Sequence, residues 1–198
     1  MSDLLDLRYL VRLAFATVRD PKAGAAEILR IAPARGALWL AFALMIVVSL
    51  IMGEVVALIL GQPEAGPLAG QTSLTLGLMQ GAFLFVMVHA ITQIGRICGG
   101  TGDFDGSLAL ITWLQFVFFL VQLLQLALLL VAPPIAVIVT GLAIGLFFWM
   151  LVNFILVLHG FASLSMVFFM TFASFLGILF TLSLVLSVLG LTPEPQGF

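Results

Sequence analysis

The chain has 198 residues, of which 63% are hydrophobic and only 8% charged, with a net charge of −2, and its mean hydropathy is +1.31. A soluble domain carries roughly 25% charged residues, so a water-soluble core is excluded and the bilayer has to be treated as the solvent. The apolar runs are apolar all round rather than alternating, which excludes a membrane β-barrel and leaves helices.

Residues 1–35 are the only sizeable polar part. Ser2 is placed to cap a helix from Asp3 to about Val18. Within it Leu4, Leu7, Val11, Ala14 and Val18 recur at steps of three and four, and Arg8, Arg12 and Arg19 lie mostly off that stripe. Such a segment lies in the lipid interface or packs under a bundle; docking onto a soluble partner is the alternative. Asp20-Pro21 restarts the chain, with Asp20 as N-cap and Pro21 at the first helical position. A second helix runs to about Ile31 and ends near Pro33.

Residues 36–190 are predicted to form an all-α domain of five transmembrane helices: Ala37–Leu60, Ser73–Ile94, Ser107–Ala132, Ile135–Leu158 and Phe161–Leu189. Each exceeds the length of about 20 residues that a hydrocarbon layer of about 30 Å demands. The last is longer than needed, so it is tilted or extends past the surface. Residues 61–72, with Gly61, Pro63, Gly66, Pro67 and Gly70, read as an irregular connector. Pro133-Pro134 cuts one long apolar run, forcing a tight antiparallel hairpin at no hydrogen-bond cost to the fourth span. Residues 191–198 form a short tail.

Lys and Arg total 7. Arg8, Arg12, Arg19, Lys22, Arg30 and Arg35 precede the first span and Arg96 follows the second, so both segments are expected to be cytoplasmic. Five spans then put the C-terminus outside. The single cysteine, Cys98, falls on a cytoplasmic loop and allows no internal disulfide. No secretory signal is visible, and the first span would direct insertion.

Glu54 is the only formal charge within the spans. An intramembrane acid is either functional or, this near the outer end, interfacial. His89, Gln93 and Arg96 share a face of the second span near the cytoplasmic side. Thr112 and Gln115 in the third span and Asn153 in the fourth fall at similar depth. Residues of this kind bond to neighbouring helices or line a substrate cavity. Gln115, Gln122 and Gln125 make another stripe with the same two readings. Gly141-xxx-Gly145 permits close helix approach, and Trp39, Trp113 and Trp149 include interface anchors.

The turn Gly99-Gly100-Thr101-Gly102-Asp103-Phe104-Asp105-Gly106 is the most distinctive segment. The lysine-serine ending of a P-loop is missing, and two acids oppose phosphate binding. Asp105 or Ser107 is expected to cap the third span, and Gly100 and Gly102 are expected to adopt backbone angles that a side chain resists. His89 and His159 stand without an acid or nucleophile at motif spacing.

The turn Gly99–Phe104 opening a span, the long hairpin after it, the segment Leu158-His159-Gly160-Phe161-Ala162-Ser163 and the Asp20-Pro21 pair together resemble the Yip family of five-span membrane proteins, over roughly residues 15–190. The resemblance implies a five-helix bundle with a cytoplasmic N-terminus. That family is named for interaction with Rab-type GTPases, and its eukaryotic members act in vesicle traffic, often with a long cytoplasmic N-terminal region. Here that region is only residues 1–35, so GTPase binding is not carried over. The Ala- and Leu-rich chain with few lysines reads as bacterial, which places it in an inner membrane with a periplasmic C-terminus.

No pattern points to catalysis, a cofactor, a metal ion or nucleic acid. The leading expectation is a non-enzymatic protein that organises or assists other membrane components, with membrane lipid, other integral membrane proteins or a second copy as partners. A small transporter or channel using the intramembrane polar residues is the alternative.

Overall fold

A computed structural model describes residues 7–31, 33–59 and 73–188. They form seven helices: α1 (Leu7–Arg19), α2 (Pro21–Ile31), α3 (Arg35–Ile59), α4 (Ser73–Ile97), α5 (Phe104–Val131), α6 (Pro133–His159) and α7 (Leu164–Val188). The fold is an all-α membrane bundle. Four helices, α3 to α6, are long and apolar enough to cross a bilayer, and α7 adds the apolar stretch Leu164–Ile178. The expected cap at Ser2, residue Leu4, the connector at 61–72 and the tail at 191–198 lie outside the described residues.

The second short helix begins as local chemistry dictates. Asp20 Oδ1 accepts the Ala23 amide at 3.0 Å, while Pro21 occupies the first position, where its missing N–H costs nothing. Between α5 and α6 only Ala132 intervenes, and α6 has proline at its first positions. The Ile135 amide closes this turn on the Ala132 carbonyl at 2.9 Å.

Packing is uneven along the bundle. On α5 every residue from Ser107 to Leu114 is buried, as is Val117, whereas none from Phe118 to Val131 is. On α6 the continuous buried run is Met150–Phe154, with Leu158 and His159 following. The core therefore sits at the end where α5 starts and α6 stops. This is also the end where α1 and α2 pack, α2 against both α5 and α6 and α1 against α5. All described cations lie here as well, so we call it the basic end. Toward the Pro133 turn the helices present large apolar side chains outward, among them Leu130, Val131, Val137 and Leu142.

The face that α1 turns to the bundle differs from the stripe expected from spacing. Ala14 and Thr17 are buried, with Leu10, Leu13 and Val18 packed beside them, while Leu7 is 65% exposed. The buried face is rotated by about 80° from the expected one, at 3.6 residues per turn. Thr17 is the cause. It is polar in the sequence, yet its hydroxyl lies 2.8 Å from the Leu13 carbonyl and accepts the Trp113 indole N–H at 3.2 Å. So satisfied, it can be buried without the penalty of an unpaired hydroxyl. Gly24 on α2 completes the contact, because a Cβ there would overlap the Thr17 side chain.

Candidate functional site

At the basic end, backbone groups of α4 and of the turn after it converge on His159, the last residue of α6. α4 and α6 finish in the same way. At the end of α4 Gly99 has φ +88°, the Gly100 amide donates to the Gly95 carbonyl at 2.8 Å and the Gly99 amide to the Arg96 carbonyl at 3.0 Å. At the end of α6 Gly160 has φ +68°, the Phe161 amide reaches the Leu156 carbonyl at 3.0 Å and the Gly160 amide the Val157 carbonyl at 3.4 Å. Both are Schellman endings, which close the last carbonyls of a helix through a left-handed residue.

The imidazole then joins the two ends. Its Nδ1 accepts the Gly102 amide at 3.1 Å, and its Nε2 lies 3.1 Å from the Ile91 carbonyl on α4. Since Nδ1 faces a donor, the proton belongs on Nε2, which donates to Ile91. The Thr101 amide reaches the His159 carbonyl at 3.3 Å, and Phe161 stacks on the ring with centroids 5.5 Å apart. Arg96 contributes from outside, its Nε donating to the Gly102 carbonyl at 3.0 Å.

Gly95 of α4 and Gly100 and Gly102 of the turn leave room for this ring. A Cβ on Gly95, Gly100 or Gly102 would collide with His159, and one on Gly106 would press on Leu158 and Asp103. This corrects the expectation that Gly100 and Gly102 hold unusual backbone angles. Among the described residues positive φ occurs at Gly99 and Gly160, and Gly100 and Gly102 are required for space instead.

A second chain of bonds joins α4 to α5. The Thr92 hydroxyl donates to Ser107 Oγ at 2.8 Å, which donates to the Asp103 carbonyl at 2.9 Å; both hydroxyl-bearing residues are buried. Asp103 caps α5, its Oδ1 accepting the Gly106 amide at 2.9 Å. The expected caps were Asp105 and Ser107, and α5 therefore starts three residues before its expected boundary. Asp105 instead forms an ion pair with Arg35 of α3 at 3.1 Å. On α2 the Arg30 guanidinium bonded to Glu27 at 2.6 Å holds that carboxyl below its usual range, chiefly through the hydrogen bond.

The other expected residues divide. His89, Gln93 and Arg96 do lie on one face of α4, but that face is exposed; His89 stacks on Phe85 and meets Phe104 edge-on. Asn153 is buried, and its amide donates to its own helix at the Trp149 carbonyl, 2.7 Å away. Thr112 likewise bonds to Leu108 of its own helix. Both side chains therefore bond within their own helix, where bonds to a neighbouring helix were expected. Gln115 has both side-chain polar atoms buried without a protein partner. Gln125 reaches across to Thr140 at 3.1 Å. Glu54 is exposed on α3, about 28 Å along that helix from Arg35 at 1.5 Å per residue. Nothing stands within 4 Å of a Cβ built on Gly141 or Gly145, so this pair does not bring two helices of this chain together.

Thr92 and Thr17 were not among the residues the sequence singled out, and Ser107 stood out only as a possible cap. Thr92 lies between His89 and Gln93 in sequence but on an adjacent side of α4, about 70° round the helix from the centre of their face, and is buried; Thr17 breaks an apolar stripe. The available signal was their hydroxyl, which can return a bond to the carbonyl four residues back and so enter a helix core.

In chemical terms the cluster is a joint. Both imidazole nitrogens are occupied by backbone partners, and among the described residues no group of three His, Cys, Asp or Glu is placed to hold a metal ion. The fold and this joint define an integral membrane helical bundle closed at one end by a glycine-lined histidine. The family model described as the Yip1 domain matches residues 15–186. The chain belongs to the Yip1 family. Comparisons with curated proteins and with solved structures found no match.

Proposed function

We propose that this Yip1-family membrane protein is non-enzymatic and organises or assists other membrane components through its lipid-facing helix surfaces and its basic end. By the positive-inside rule the basic end faces the cytoplasm, which puts the N-terminus inside and the C-terminus on the periplasmic side of an inner membrane. The observation that carries the reading is the fate of the polar groups. Those that converge at the basic end are consumed by bonds within the chain, with His159 bonded at both nitrogens. The clefts are apolar and open sideways between helices: one is walled by Met87, Ile91, Leu151, Met170 and Phe175 across α4, α6 and α7, another by Phe148, Trp149, Phe168 and Phe172 between α6 and α7. A lateral apolar cleft suits a helix or lipid, whereas a solute path needs convergent polar groups.

The transporter or channel reading draws on Gln115, whose unpartnered amide is buried within α5. One experiment separates the two. The tagged full-length protein is captured in native nanodiscs and cross-linked. A specific membrane protein cross-linked to α4, α6 or α7 is the expected result. Capture of lipid alone, together with a solute flux in vesicles that Gln115→Leu abolishes, would move the function to transport.

A further inference from the structure

We infer that the outer edge of α1 is a binding surface for anionic phospholipid, lying in the plane of the membrane interface. α1 carries two apolar faces. One is spent on the bundle through Leu10, Leu13, Ala14 and Thr17. The other holds Leu7 and Phe15, each 65% exposed, with the half-buried Val11 between them. At 3.6 residues per turn, Arg8, Arg12 and Arg19 form the row next to this second face, and Lys22 follows at the start of α2. All four are exposed.

The order around the helix is therefore bundle, bare apolar edge, cations. That is the cross-section of a helix lying in a headgroup layer, apolar side toward the acyl chains and cations toward phosphate. Charge complementarity identifies the lipid as anionic. From Leu7 to Ile31 there are five cations, Arg8, Arg12, Arg19, Lys22 and Arg30, against two acids, Asp20 and Glu27. Glu27 is bonded to Arg30 and receives the Tyr9 hydroxyl at 3.4 Å, and Asp20 caps α2. Asp3 and Asp6 precede the described residues.

Depth agrees. α5 and α6 have 28 and 27 residues, about 40 Å each against a hydrocarbon thickness of about 30 Å. At the Pro133 end apolar side chains run right up to the one-residue turn, so the surplus of roughly 10 Å projects at the basic end. Trp113, which holds Thr17, is the tenth residue of α5, about 13 Å from its start. α1 is thereby fixed at the boundary between hydrocarbon and headgroups.

The test uses the full-length protein in vesicles, with bimane attached through Phe15→Cys in a Cys98→Ser background. Brominated phosphatidylglycerol should quench the probe more than brominated phosphatidylcholine at equal mole fraction, and aqueous iodide should quench it poorly. Removing charge by Arg12→Gln, Arg19→Gln and Lys22→Gln should lower the preference for the anionic lipid by up to about fivefold per cation at low salt. Added salt should lower it in the unmutated charge background too, a readout that stands where the substituted protein fails to insert. Free access of iodide in both kinds of vesicle would overturn the inference, as would equal quenching by the two lipids. So would protection from iodide that vanishes on dilution to one chain per vesicle, which would assign the edge to a second copy.

Discussion

His159 is where single residues matter most. Its ring fills the space left by three glycines and satisfies two backbone groups on different segments. His159→Ala removes the volume and orphans both partners, and is expected to cost about 3 kcal/mol or more, read as a lower unfolding temperature in nanodiscs. His159→Phe restores the volume without the bonds and should fall between. Gly100→Ala places a methyl against the ring and should destabilise, whereas Gly141→Ala, where no atom of the chain is near, should be neutral or stabilise by up to about 1 kcal/mol through helix propensity. Equal effects of the two glycine changes would contradict the cradle. Acidity should act gently at this scale. Glu27 is held below the ordinary carboxylate range by Arg30, so its contribution is complete above that range and is lost as pH falls from there through its own lower value. A carboxyl resonance of Glu27 titrating at or above the ordinary value would refute this. The spacing of the turn showed that Gly99–Gly106 is a reversal of the chain, because a run of glycines and acids between apolar segments is a local signal. Why Gly100 and Gly102 are glycine was not legible, since the cause, His159, lies 57 residues beyond Gly102 in the chain.

Whole elements were legible wherever their ends are set locally. Pro133-Pro134 marks the hairpin and Asp20-Pro21 the start of α2, and both act on their own backbone. The start of α5 was misplaced because three acids or hydroxyls, Asp103, Asp105 and Ser107, compete for one cap, and the choice depends on α3 drawing Asp105 to Arg35. Asp103→Ala should therefore cost about 1 kcal/mol, while Asp105→Ala, an exposed ion pair, should cost less; thermal unfolding of the two variants compares them directly. The face of α1 was misread because a stripe of apolar residues does not reveal that Trp113 supplies a partner for Thr17. Thr17→Val keeps the shape but removes the acceptor. It is expected to cost about 1–3 kcal/mol by leaving the indole N–H unpaired and to raise proteolysis within residues 7–31 while α3 to α7 still insert. Unchanged proteolysis would mean that α1 is held by apolar contact alone.

At the scale of the molecule the chain is packed like a protein at one end and like isolated helices at the other. Side chains from Ser107 to Leu114 and from Met150 to Phe154 are buried together, and α1 and α2 wrap the same end. The far end leaves Leu130, Val131, Val137 and Leu142 outward, where lipid can cover them as readily as protein. Hydropathy reports only that a helix prefers to leave water, so it cannot separate the side that meets lipid from the side that meets another helix; the five apolar helices were readable and this gradient was not. The gradient makes the basic end the rigid reference of the bundle and frees the lateral apolar surfaces for partners, and its keystone is the histidine joint. Amide hydrogen exchange of the full-length protein in nanodiscs, with His159→Ala beside the unmodified chain, tests this most directly. Slow exchange is expected at Gly100, Thr101 and Gly102 in the unmodified protein and, in the variant, a joint loss of protection there and in α1 and α2, with the membrane-embedded parts of α3 and α5 unchanged. Exchange at Gly100–Gly102 as fast as in an unstructured peptide before mutation, or protection there that survives the loss of the imidazole, would contradict it.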